Sequence, residues 1–160
     1  MTKHPDDHRK LWLAKLANDN NFTTAVEIGV QEGVTFSHLV ETCPQLHVVG
    51  IDPWGRGTLD DNYYNNLNEK YADHHRATLI RSSSFSAHKF FADETQDMIF
   101  IDGDHTYKGV SRDIANWTPK VKKGGYVCGH DINQPQIQKA VKEYFGDYQT
   151  GPDLIWYVKK

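Results

Sequence analysis

The sequence predicts an α/β protein, a mostly parallel sheet with helices on both faces. Three observations carry that reading. Short apolar runs alternate along the chain with stretches of helical period, the pattern of repeated βα units. The runs are continuously apolar, as strands covered on both faces are. Each of the first five ends at a glycine, a serine cluster or an acid, and in such sheets ligands bind outside the carboxyl ends of the strands.

The elements follow in order. A first helix is expected over about 6–18, with Trp12, Leu13, Leu16 and Ala17 on one face and Asp6 or Asp7 as its cap. Thr24 to Gly29 reads as a strand. Phe36, Leu39 and Val40 mark a helix that Pro44 stops, and His47 to Asp52 is the second strand. Residues 53–62, rich in Gly, Asp and Asn, read as a loop, and Tyr63, Leu67 and Tyr71 recur at helical spacing. Their helix is expected to border the pocket. Thr78 to Arg81 is a third strand, followed by the polar run Ser82, Ser83, Ser84. Met98 to Asp102 is a fourth. Val110, Ile114 and Trp117 then give a helix that Pro119 ends. Lys120 to Lys123 reads as a solvated loop before the fifth strand, Gly125 to Gly129, which His130 and Asp131 close. Pro135 opens a last helix with Ile137, Ala140, Val141, Tyr144 and Phe145 on its stripe, and Gly146 sits at its C-cap. Leu154 to Val158 is a closing strand.

Composition narrows the class. The 160 residues are read as one domain, 1–160, with a formal charge of −3 that argues against a nucleic-acid surface. No apolar run is long enough to cross a membrane, and residues 1–10 lack the apolar stretch of a signal peptide. Cys43 and Cys128 form no ligand or disulfide spacing, so a cytoplasmic setting is expected.

The chemistry-bearing residues fall at the strand ends. Glu27-Ile-Gly-Val-Gln-Glu-Gly33 places E-x-G-x-x-x-G between a strand and a helix. Gly29 permits the tight turn, Gly33 permits close approach of the helix, and Thr35 is placed to meet free N–H groups at the helix start. A dinucleotide fingerprint would carry glycine where Gln31 stands, so a cofactor without pyrophosphate, such as S-adenosylmethionine (SAM), fits better. Asp52 ends the next strand, 23 residues after Gly29, where a carboxylate accepts both hydroxyls of a ribose. Trp54 offers a flat surface for adenine, against the plain alternative of core packing. Ser83 and Ser84 are placed to bond the adenine edge.

The segments EIGVQEG, GIDPW and MIFIDGDHTYKGVSRDIANWTPKVKKGGYVCGHD together resemble class I SAM-dependent methyltransferases. Within them they are similar to the small branch called methyltransferase family 24, with its macrocin O-methyltransferase and cephalosporin-hydroxylase-like groups. The resemblance implies a Rossmann-like, doubly wound sheet of seven strands, order 3-2-1-4-5-7-6, with the last strand antiparallel. It also implies SAM as methyl donor. Glu27, Gly29 and Gly33 would then hold the methionine moiety and Asp52 the ribose. Ser83 and Trp54 would frame the adenine, and Asp102 would face the methyl group. Metal-dependent relatives hold a divalent cation after strands four and five. Asp102 and Asp131 match two of those positions, but His130 stands at the third. Imidazole suits Mn²⁺ or Zn²⁺ better than Mg²⁺, so a metal and its identity stay open.

Methyl transfer needs alignment of the acceptor with the S–CH₃ axis, worth about 7–11 kcal/mol. A hydroxyl acceptor must also lose a proton, to a histidine or through a metal. Asp102, His105 and His130 are the candidate catalytic residues. Asp104 has the lesser alternative of a turn residue that caps the helix from Tyr107, and His105 reads more as a structural or substrate-lining residue than as a metal ligand. The expected activity is O-methylation of a small molecule or sugar hydroxyl. The alternatives are a SAM-using lyase or hydrolase and a non-catalytic SAM-binding protein. Little sequence is left for a substrate lid, so a homodimer is expected to complete the acceptor side.

Overall fold

Seven strands form one mixed sheet of order β3-β2-β1-β4-β5-β7-β6. The structure is a computed structural model and describes residues 7–160. In chain order the elements are α1 (Asp7–Asp19), β1 (Thr24–Ile28), α2 (Val34–Thr42), β2 (His47–Asp52), α3 (Thr58–Tyr71), β3 (Ala77–Arg81) and α4 (Ser84–Ala87). There follow β4 (Gln96–Ile101), α5 (Tyr107–Trp117), β5 (Val121–Gly129), α6 (Pro135–Phe145), β6 (Gln149–Thr150) and β7 (Trp156–Lys159). The first five strands are parallel, and β7 runs antiparallel to β5. The predicted caps of the first helix, Asp6 and the Asp7 side chain, lie outside what is described.

The two-residue period of the strands divides the core. Ala25, Val48, Met98, Phe100 and Cys128 face a layer from α1, α2 and α3. Val26, Ile28, Ile99, Ile101 and Val127 face a layer from α4, α5 and α6. Continuous apolar strands are what this two-sided burial requires. On α5, Val110, Ile114 and Trp117 form the buried stripe, and the Thr106 hydroxyl caps the helix by accepting the Gly109 N–H at 3.0 Å. Gly146 ends α6 with φ of 73°.

Four local expectations are corrected. Residues 120–123 are not a solvated loop. Val121 is fully buried and begins β5, while Lys120 and Lys122 pair with Asp93 and Asp97 at 2.7 and 2.8 Å. The serine run continues into a short helix, because the Ser83 hydroxyl accepts the Ser86 N–H and caps it. The closing strand starts at Trp156, since Asp153 and Leu154 turn through positive φ before it. On α6, Tyr144 leaves the apolar stripe and is 47% exposed.

Candidate functional site

A cleft of about 590 Å³ opens at the carboxyl ends of the strands. Glu27, Asp52, Ser83, Asp102, His105, His130 and Asp131 all line it. The topology brings them together, because every parallel strand delivers its C-terminal residue to the same edge.

The turn after β1 forms one wall. Gly29 has φ of 87°, and a Cβ there would lie 2.1 Å from the Asp102 carbonyl oxygen. Only glycine permits that approach. Gly33 also has positive φ, but a Cβ there would strike Leu67 of α3, and the residue is not among those lining the cleft. Its role is to seat α2 against α3. Thr35 makes no capping bond and is buried, at the lining of the cleft.

Asp52 does more than face the cleft. Its Oδ2 accepts the N–H groups of Val30 and Gln31, each at 3.0 Å, and its Oδ1 accepts the Trp54 N–H at 2.8 Å. A carboxylate has roughly four lone-pair sites. Three are therefore taken, and the expectation that Asp52 accepts both ribose hydroxyls exceeds its capacity.

Trp54 is corrected as well. It is fully buried in the core layer of α1 to α3, and its Nε1–H donates to the Gln31 carbonyl at 2.8 Å. Its ring packs on Tyr64 instead of forming a wall for a base. Tyr63 and Tyr64 pack against the same layer, which Tyr71 joins. The residue of α3 that reaches the cleft is Asp60.

Glu27 lies on the cleft floor, 3% exposed. Its Oε2 has no hydrogen-bond partner among the described residues. Burial, then the charge of Asp102, push its carboxyl well above the usual carboxylate range, with Arg9 opposing.

The ends of β4 and β5 carry the titratable cluster. His105 Nε2 lies 3.4 Å from Asp102 Oδ1 and 3.0 Å from Asp131 Oδ2. His130 Nδ1 lies 3.5 Å from Asp102 Oδ1 and 3.3 Å from Asp131 Oδ1. Burial works to raise Asp102, yet the hydrogen bonds from His105 and His130 and the charges of His130 and Arg9 hold it below the ordinary range. The bond to Asp102 raises His105 despite partial burial. His130 is also raised, because Asp102 outweighs the burial and the Arg9 charge that oppose it. Asp104 closes the turn between them by accepting the Thr106 N–H at 2.9 Å, its turn reading.

Donor atoms of Asp102, His105 and Asp131 lie within 4.8 Å of one another, close enough to share one cation. The imidazole of that set is His105, where the sequence suggested His130. His130 Nδ1 also lies near both carboxylates, but Arg9 Nη1 stands 3.2 Å from it as well as 3.2 Å from Asp102 Oδ2. A guanidinium only donates, so that nitrogen shares its surroundings with a fixed positive charge.

Arg9 reaches the site from α1, and sequence reasoning missed it. The signal was present: Arg9, Leu13 and Leu16 stand at i, i+4 and i+7, so an arginine lies on the apolar stripe. Arg56 and Arg112 also line the cleft, and each stood in a segment read only as loop or helix.

A family model described as a methyltransferase domain matches residues 26–132. An uncharacterised protein of Acanthamoeba polyphaga mimivirus is 30% identical over 149 residues, covering 87% of this chain and 67% of that protein. Three solved structures share the fold. A provisionally assigned caffeoyl-CoA O-methyltransferase from Staphylococcus aureus has a TM-score of 0.71 at 20% identity, covering 95% of this chain and 83% of that one. An S-adenosylhomocysteine-bound methyltransferase from Podospora anserina has a TM-score of 0.73 at 14% identity, with coverage of 94% and 77%. A TDP-rhamnose 3'-O-methyltransferase of calicheamicin biosynthesis has a TM-score of 0.71 at 14% identity, covering 94% and 78%. With the family model spanning most of the chain and the strand-end acids gathered in one cleft, the protein belongs to the SAM-dependent methyltransferase-domain family.

Proposed function

We propose that this cleft binds SAM and that the protein methylates a hydroxyl of a small molecule or sugar. The observation that carries the cofactor reading is Glu27. An acceptor oxygen this buried and without a partner is costly, and it faces a cleft in which acids outnumber bases. Glu27, Glu32, Asp52, Asp60, Asp102, Asp104 and Asp131 stand against Arg9, Arg56 and Arg112. SAM is a net cation, with an ammonium and a sulfonium against one carboxylate. A pyrophosphate dinucleotide is an anion and meets the wrong sign. Glu27 takes the ammonium end beside the turn at Gly29, while Asp52 accepts one ribose hydroxyl. Ser83 and Ser84 border the base. The likeness to two structures named as O-methyltransferases supports oxygen as the acceptor atom.

Asp102, His105 and Asp131 border the acceptor side. In neutral form, His105 takes the acceptor's proton, and Asp102 and Asp131 stabilise the imidazolium that results. The same donors suit a divalent cation. Asp102 Oδ1 faces His105, whereas Arg9 occupies Oδ2, so the three donors are not blocked. Such an ion would lower the pKa of a bound hydroxyl, and the imidazole favours Mn²⁺ or Zn²⁺ over Mg²⁺. A second copy of the chain as a wall for the acceptor belongs to the same proposal. Light scattering that gives only an 18 kDa species removes it.

Calorimetry with SAM, S-adenosylhomocysteine and NAD tests the cofactor. Binding of the first two without the third is expected, and binding of NAD alone overturns the reading. Product analysis against a panel of hydroxylated acceptors tests the transfer. SAM consumed without a methylated product would favour the lyase or hydrolase reading. Turnover that survives a chelator in full removes the cation and leaves His105 as base.

A further inference from the structure

One buried acid at the edge of the site is still without a role. Asp113, on α5, is 1% exposed. Its Oδ1 accepts the Ser84 hydroxyl at 2.6 Å. Its Oδ2 lies beneath the turn after β4, where a Cβ on Gly103 would come within 3.8 Å of it. Ser84 and Gly103 both line the cleft, and Asp113 sits behind them, outside the lining.

A serine hydroxyl has one proton and two lone pairs. With its proton committed to Asp113, Ser84 Oγ has only lone pairs for a ligand. Ser83 does not duplicate it, because its oxygen accepts the Ser86 N–H as the cap of α4 and its proton goes to Ser86 Oγ.

We propose that Asp113 is a positioning residue that makes Ser84 an acceptor-only contact, so that this wall reads the exocyclic amine of an adenine base and rejects a 6-oxo purine. This rests on the adenosyl reading of the cleft. An amine donates to Ser84 Oγ. A carbonyl in its place sets two acceptors face to face, and both lose hydration without compensation.

Calorimetry on the full chain with S-adenosylhomocysteine and S-inosylhomocysteine, which differ at that one purine substituent, tests it. The unmodified protein is expected to prefer the adenosyl ligand by about tenfold or more. Ser84→Ala removes the reading oxygen, and Asp113→Leu frees the hydroxyl to donate. Each is expected to bring the preference to within about threefold. A ratio of two affinities isolates the reading from general loosening of the site. Should Asp113→Leu fail to fold, the small change at Ser84 carries the test. An unchanged preference in Ser84→Ala, or no preference in a protein that binds S-adenosylhomocysteine, overturns the proposal and leaves the adenosyl reading standing. Failure of the folded protein to bind either ligand overturns both.

Discussion

Oδ2 of Asp52 accepts the backbone N–H of Val30 at 3.0 Å, tying the end of β2 to the turn that leaves β1. The acid of the second strand is therefore part of the frame of the cleft as well as one of its walls. Asp52→Ala is expected to cost about 2 kcal/mol, since hydrogen bonds to a charged acceptor are lost. In a domain of this size that lowers Tm by roughly 4–8 °C, and affinity for SAM falls with it. A thermal melt unchanged by the substitution would refute the framing role.

With SAM bound as proposed, Glu27 is expected to make that binding depend on pH. Its carboxyl is held above the ordinary range by burial and by Asp102, and a cationic ligand favours the ionised form. Binding should release a proton at pH values below the raised pKa, measured as a dependence of the calorimetric enthalpy on the buffer's ionisation enthalpy. The folded protein holds this proton more tightly than the unfolded chain. Stability is thus lost as the pH rises from about 4.5 towards the raised value. Glu27→Gln should flatten that slope and weaken SAM binding. A slope identical to that of the parent would mean that Glu27 ionises as an ordinary surface acid.

As the proposed base, His105 is expected to set the basic requirement of turnover. Asp102 raises it above its ordinary value of 6.5, so it stays protonated, and unable to accept a proton, into higher pH than a free histidine. Without added metal, kcat should rise through a pKa above 6.5, and Asp131→Asn should shift that rise to lower pH. The stabilising contact with the acids is complete below about pH 6.5 and disappears as the pH passes the raised value. NMR titration of the imidazole gives the value directly. A His105 midpoint at or below 6.5 contradicts the assignment.

Arg9→Met tests whether α1 belongs to the site. The Arg9 side chain is 11% exposed, and its guanidinium contacts Asp102 at 3.2 Å. Removing it leaves the carboxylate with imidazole partners alone, at an expected cost of about 2–3 kcal/mol, below that of a fully buried pair. Asp102 should then titrate at higher pH. Loss of activity at unchanged stability would place Arg9 on the acceptor rather than on Asp102.

Much of this protein is legible along the chain because it depends on local pattern. Continuous apolar strands, the stripe of α5, the glycine turn at Gly29 and an acid at each strand end all follow from neighbours within a few residues. They suffice to place Glu27, Asp52, Asp102 and Asp131 at one sheet edge. What the tertiary structure alone decided is where side chains go once helices pack. Trp54 turned into the core because α3 brings Tyr64 against it, and three backbone N–H groups claimed most of Asp52. His105 joined His130 between the carboxylates, and α1 brought Arg9 onto His130 from more than a hundred residues away. Periodicity reports which face of an element is buried. Which distant charge meets it there depends on packing between elements, and no local pattern encodes that.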